Sequence, residues 1–150
     1  MGRARDTGRI AYPPDRALAI WADLERWPRF VDGFERVVRA DHSWPAVGSS
    51  LVWRSNPNGR GEVTEQVEAS DAQRIVTRVT DLTLSGRQTF SAEPGPEGAR
   101  LELELDYDLL QQGALTPITD ALFIRRAVRD SLRRTLRALE SEAAADPTII

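Results

Sequence analysis

The residues in this chain best suited to chemistry are one carboxylate, one phenol, one amide and two guanidiniums. Glu65 stands between Val63 and Val67 at spacing two, so the three side chains leave one face of a strand. The valines mark that face as apolar. A carboxylate held there without a partner keeps its proton to higher pH and can act as a general acid or base. The structural alternatives are an ion pair with Arg78, Arg125 or Arg129, or a rim position in water. Thr64 and Gln66 also alternate with the apolar set, which leaves the register open by one residue. Arg125 and Arg129 fall inside the apolar stripe Ile118, Leu122, Leu132, Leu136 and Leu139 of a long helical segment, at about 100° per residue. A guanidinium on such a stripe binds an anionic or carbonyl group, forms a structural salt bridge, or snorkels to water. Arg126, Arg133, Arg134 and Arg137 fall on the polar side, as a solvated charge run. Tyr107 carries a hydroxyl that needs an acceptor if buried, a backbone carbonyl or a substrate carbonyl. Gln88 is polar on an otherwise dry strand face and is suited to orienting a ligand oxygen.

Other chemistries are excluded. The chain has no cysteine, so disulfides, thiolate metal sites and cysteine nucleophiles are absent. The single histidine, His42, cannot build a zinc site alone, and no Gly-x-Ser-x-Gly elbow accompanies it. It precedes Ser43-Trp44-Pro45 and reads as a surface loop residue. Gly59-Arg60-Gly61 lacks the lysine and helix of a phosphate loop and reads as a hairpin turn. No cofactor is called for. The 23 acidic and 20 basic residues give a net charge of −3, which argues against a nucleic-acid partner. No run approaches the roughly 18 apolar residues of a membrane span. The first nine residues lack the apolar stretch of a leader, so a cytoplasmic protein is expected. The 150 residues, 41% of them hydrophobic and 29% charged, fit one globular domain over 1–150. The oligomeric state, monomer or homodimer, is not written in the sequence.

The elements that must position these residues follow from breakers and periodicity. A first strand ends near Ala11, at Pro13 and Pro14. Pro14 suits the first position of a helix, with Asp15 in its first turn. Leu18, Trp21 and Leu24 recur at spacing three and mark its buried face. Pro28 breaks that helix and starts a short second one through Phe30 and Val31. Five or six strands follow: Phe34–Asp41, Gly48–Ser55, Gly61–Ala69, Arg74–Val79, Leu82–Ala92 and Arg100–Leu109. In the last, Leu101, Leu103, Leu105 and Tyr107 alternate with Glu102, Glu104, Asp106 and Asp108, giving one dry and one wet face of an antiparallel sheet. Leu82, Leu84, Gly86, Gln88 and Phe90 share a face of the strand before it, and Trp53 faces inward if Arg54 faces water. A long helix then runs from a Thr116 cap and Pro117 to about Ala144, roughly 40 Å at about 1.5 Å per residue.

This order resembles the START/polyketide-cyclase-like (SRPBCC) superfamily, the helix-grip fold. The resemblance is carried by Ile10-Ala11-x-Pro13-Pro14 and Trp21-Ala22-Asp23-Leu24-Glu25-x-Trp27-Pro28. Val47-Gly48-Ser49, Glu62 to Val67, and Phe90 leading to Gly98-Ala99-Arg100-Leu101 add to it. It covers roughly Ile10 to Glu142 and is nearest the small bacterial cyclase/dehydrase-like branch. The resemblance implies an α+β fold, a curved antiparallel sheet wrapped around a long C-terminal helix with a cavity between them. It implies a hydrophobic small-molecule ligand such as a lipid, quinone or polyketide, either carried or acted on by cyclisation or dehydration. A third reading is a module that docks a protein or membrane surface, through a mouth around Leu115 and Phe123. Candidate ligand contacts are Trp27, Phe30, Trp53, Glu65, Leu84, Gln88, Phe90, Leu103, Tyr107, Phe123, Arg125 and Arg129. Glu65 and Tyr107 are the only candidates for proton transfer.

Overall fold

The computed structural model describes residues 1–110 and 118–146. Strand β1 (Gly2–Ile10) stops at the Pro13-Pro14 pair, and helix α1 (Pro14–Ala22) begins with Pro14 in its first turn. Ala17, Leu18, Ile20 and Trp21 form its buried face. Asp23 caps a single 3-10 turn, Leu24–Arg26, by accepting from the Glu25 amide. The four-residue helix α2 (Trp27–Phe30) follows, with Pro28 where its missing N–H costs nothing. Then come β2 (Phe34–Ala40), β3 (Ser50–Ser55), β4 (Glu62–Ser70), β5 (Arg74–Thr80), β6 (Leu84–Gly95), β7 (Gly98–Leu109) and helix α3 (Ile118–Ala145).

All pairings are antiparallel, in the order β1-β7-β6-β5-β4-β3-β2. Strands β2 to β7 form a meander, and β1 returns to pair with β7, placing Gly2 opposite Tyr107. Bulges in β2 and β4 bend the sheet. At Gly86 a Cβ would overlap the Asp106 carbonyl, so only glycine lets β6 close on β7. The inner face of the curved sheet carries Leu51, Trp53, Val63, Ile75, Val79, Phe90, Leu101, Leu103 and Leu105. Helix α3 lies against β1 and α2, and its C-terminal half buries Leu132, Thr135, Leu136, Leu139 and Ala143.

The alternation expected from Leu101 to Tyr107 is found: all four apolar residues are buried. The expected Thr116 and Pro117 helix start, and Leu115, lie outside the described residues. Two packing expectations are corrected. Leu82 is 77% exposed, because β6 begins at Leu84 and the preceding turn carries Leu82 away from the sheet. Leu122 is 51% exposed, because the N-terminal half of α3 is less covered than its C-terminal half.

Candidate functional site

Beneath α1 and α2 the aromatic side chains pack against one another. Trp21 stacks on Phe90 with ring centroids 4.4 Å apart, and Trp27 meets Trp53 edge-on at 6.2 Å. The Trp27 indole donates to the Trp21 carbonyl at 2.8 Å, and Phe30 packs on Trp21. Trp27, Phe30, Trp53, Phe90 and Leu103 are all buried. α1 and α2 press these aromatics into a single cluster, and none of them lines the groove described below.

Glu65 is buried beneath that cluster, on the same face as Val63 and Val67, so the inward register holds. Its expected arginine partner is not found. One carboxylate oxygen accepts from Trp53 Nε1 at 2.8 Å and the other from Thr77 Oγ1 at 3.0 Å. Burial raises the pKa of this carboxyl. The Trp53 hydrogen bond, the charge of Arg60 and the Thr77 hydrogen bond oppose that rise. Arg78, the nearest expected partner in sequence, instead reaches Glu68 on the outer face.

A groove of about 460 Å³ opens between the N-terminal half of α3 and the turns at one end of the sheet. Its apolar wall is Leu84, Leu105, Ile124, Val128 and Leu132. Its polar mouth is Arg60, Asp81, Gln88, Asp32 and Arg134. Arg60 comes from the β3–β4 turn and Asp81 from the β5–β6 turn, adjacent at the same end of the sheet. Arg60 Nε donates to Asp81 at 2.7 Å, and its guanidinium stands 5.5 Å from the Trp53 ring centroid. Asp81 also accepts from the amides of Thr83 and Leu84. On the opposite lip, Arg134 grips Asp32 through Nε at 3.0 Å and Nη2 at 3.1 Å, while Ser131 donates to the same carboxylate. This fixes the α2–β2 turn to α3.

Of the residues singled out in the sequence, Leu84, Gln88 and Phe123 line this groove, Phe123 at 73% exposure. Glu65 and the aromatic cluster lie outside its lining. Tyr107 is buried and is not part of the groove lining, its ring so close over Gly2 that a Cβ there would overlap it. The inward placement of Arg125 and Arg129 is corrected. Both are exposed and line a separate crevice of about 440 Å³ with Gly2, Arg3, Ala4 and Asp106. The helix overhangs the β1 end there, so a stripe that points toward the sheet meets solvent.

Arg60, Asp81, Asp32 and Arg134 were not singled out for the site. The turn expected at Gly59-Arg60-Gly61 is found. Two oppositely charged turn residues at the same end of an antiparallel meander are the signal that would have joined them.

A curved seven-stranded antiparallel sheet around a long C-terminal helix, with an apolar groove between them, defines a helix-grip protein. The family model described as polyketide cyclase / dehydrase and lipid transport matches residues 1–144, and the chain belongs to that family. Among solved structures, the Zhui aromatase/cyclase from Streptomyces aligns with a TM-score of 0.79 at 18% identity, covering 95% of this chain and 93% of that one. A START superfamily protein from Mycobacterium smegmatis gives 0.73 at 15%, covering 95% and 97%. The di-domain aromatase/cyclase StfQ from the steffimycin pathway gives 0.76 at 18%, covering 95% of this chain and 50% of that one. At these identities the likeness shows the fold. No curated protein sequence matches the chain.

Proposed function

We propose that the protein binds a hydrophobic, oxygen-bearing small molecule in the groove between α3 and the sheet. The observation that carries this reading is the apolar wall of Leu84, Leu105, Val128 and Leu132 ending at a single stacked guanidinium, Arg60. The groove volume of about 460 Å³ falls in the range of roughly 300–1,000 Å³ usual for small-molecule sites. The Arg60 Nε is committed to Asp81, and its terminal N–H groups have no partner among the described residues. The side-chain amide of Gln88 is likewise without a partner among them. Apolar contact then supplies affinity, and Arg60 with Gln88 orients a carbonyl, enol or carboxylate oxygen. Family membership agrees with a ligand of lipid or polyketide character.

Glu65 enters this reading as a support and not as a proton donor. A general acid needs to reach its substrate within about 3 Å. Both Glu65 oxygens are held by Trp53 and Thr77, behind the groove. Its role is to hold the indole on which Arg60 rests.

The test uses anilinonaphthalenesulfonate, an apolar aromatic anion, as a fluorescent probe. We expect saturable binding to the native protein and its loss in Val128→Trp, which fills the groove. Near-ultraviolet circular dichroism checks that the variant is folded. Undiminished probe binding by folded Val128→Trp would place the ligand site elsewhere.

A further inference from the structure

The N-terminal part of α3 carries exposed charge that the protein itself does not pair. Most of the arginines in this chain stand beside a carboxylate, as Arg3 does with Asp106 and Arg137 with Asp6. Arg125, Arg126, Arg129 and Arg133 do not, among the described residues. All four are exposed and fall within nine residues of one helix. Arg125, Arg129 and Arg133 repeat at intervals of four, so neighbours on one ridge repel each other and cost the helix stability. The one acid among them, Asp130, acts on Arg134. At the same end of the helix, Leu122 is 51% and Phe123 73% exposed.

We propose that this end of α3 rests on an anionic lipid surface, with the four arginines at the phosphates and Leu122 and Phe123 at the acyl boundary. Charge complementarity gives the sign of the partner. The exposed leucine and phenylalanine beside the arginines favour a bilayer over a purely acidic protein face, because a bilayer answers both chemistries on one narrow convex ridge. Phe123 also lines the mouth of the groove. The proposal thus rests on the groove being the ligand site, and adds that the ligand enters from the lipid surface.

The experiment is co-sedimentation of the intact protein with phosphatidylcholine vesicles, plain or containing about 30% phosphatidylglycerol. Binding is expected only with the anionic vesicles, and is expected to be released near 1 M salt, where charges are screened beyond about 3 Å. Replacing all four arginines by glutamine is expected to weaken it at least about 100-fold, as four surface charges are lost. Phe123→Ser is expected to weaken it about 5-fold with charge unchanged. Val128→Trp, which tests the groove, is expected to leave vesicle binding intact, so the two readings fail separately. Equal binding to both vesicle types, or full retention by the folded four-arginine variant, overturns the proposal. Capture by polyglutamate with none by anionic vesicles also overturns it, in favour of an acidic protein partner.

Discussion

The Trp53 indole donates to the Glu65 carboxylate at 2.8 Å, and this one bond couples the buried acid to the groove, because Arg60 lies over the other side of the same ring. Glu65 is buried, and burial holds its pKa above the usual carboxylate range. A carboxyl raised in this way binds its proton more tightly in the native state than in the unfolded chain. Its contribution to stability is whole below the ordinary carboxylate range and is lost as pH rises through the raised value. Glu65→Gln keeps the shape and removes that titration. As pH rises from the ordinary carboxylate range, the unfolding free energy of the variant is expected to gain on that of the native protein. Glu68 and Asp71 titrate in the opposite sense, but they are common to both proteins and cancel in the difference. Urea unfolding of the two proteins across that rise in pH measures the effect, and a constant difference contradicts it.

Trp53→Phe tests the donor side of the same bond. The ring remains to pack on Trp27 and Phe34, but Glu65 loses one of its two hydrogen bonds in a dry site. Stranding a buried acceptor costs about 1–3 kcal/mol. The Trp53 hydrogen bond is the largest of the influences that lower the Glu65 pKa, so its loss leaves the proton bound to still higher pH. The variant is therefore expected to be most destabilised in the alkaline part of the range and least in the acid part. Chemical denaturation at both ends, by a probe other than tryptophan fluorescence, decides the matter.

How far the sequence could be read depended on what each pattern encodes. Period-two alternation reports a face: Leu101, Leu103, Leu105, Tyr107, Val63, Glu65 and Val67 are buried as it assigned them, and Ala69, next on the Glu65 face, is half-buried. The order of prolines and helices gave the family and the grip. The helix stripe failed at Arg125 and Arg129 for a different reason. Rotation about a helix axis says which way a side chain points, not what lies opposite, and opposite those two lies only the crevice beside β1. The aromatics were recognised as interior. That they would pack against one another required knowing how closely α1 and α2 approach, a distance no local pattern carries. Arg60 and Asp81 belong to separate turns, and their meeting depends on the meander bringing two hairpin ends side by side.

Arg60→Met separates ligand binding from folding. The methionine chain can still lie over Trp53, and Asp81 keeps the amides of Thr83 and Leu84. Arg60 is partly exposed, so the loss of its pair with Asp81 is expected to cost only about 1 kcal/mol of stability. Affinity for the anionic probe anilinonaphthalenesulfonate is expected to fall about 10-fold, the worth of one charge-assisted hydrogen bond. A neutral aromatic probe of similar size is expected to lose little. Fluorescence titration of both probes against both proteins gives the comparison, and an equal loss for the two would assign Arg60 a structural role only.

Arg26 anchors the far end of the grip, where failure should be global. Its Nη1 lies 2.6 Å from Asp146 and 3.5 Å from Glu142, and its Nε donates to Asp23 at 3.2 Å. The Asp146 and Glu142 side chains are only 3% and 11% exposed, so the arginine neutralises charge that water hardly reaches. Its own pKa is raised, first by the hydrogen bond to Asp146. Arg29 reaches Glu142 at 3.1 Å but is well exposed. Arg26→Met keeps the length and apolar stem of the side chain while removing its cation from the two carboxylates. Breaking a buried pair from one side costs about 3–5 kcal/mol; the partial exposure of Arg26 places the expected loss near about 3 kcal/mol. Arg26→Lys keeps the charge without the planar fork and is expected to recover part of that loss. Thermal unfolding of the native protein and both variants at neutral pH tests this. An equal loss for the two variants would attribute it to packing of the arginine stem rather than to its charge.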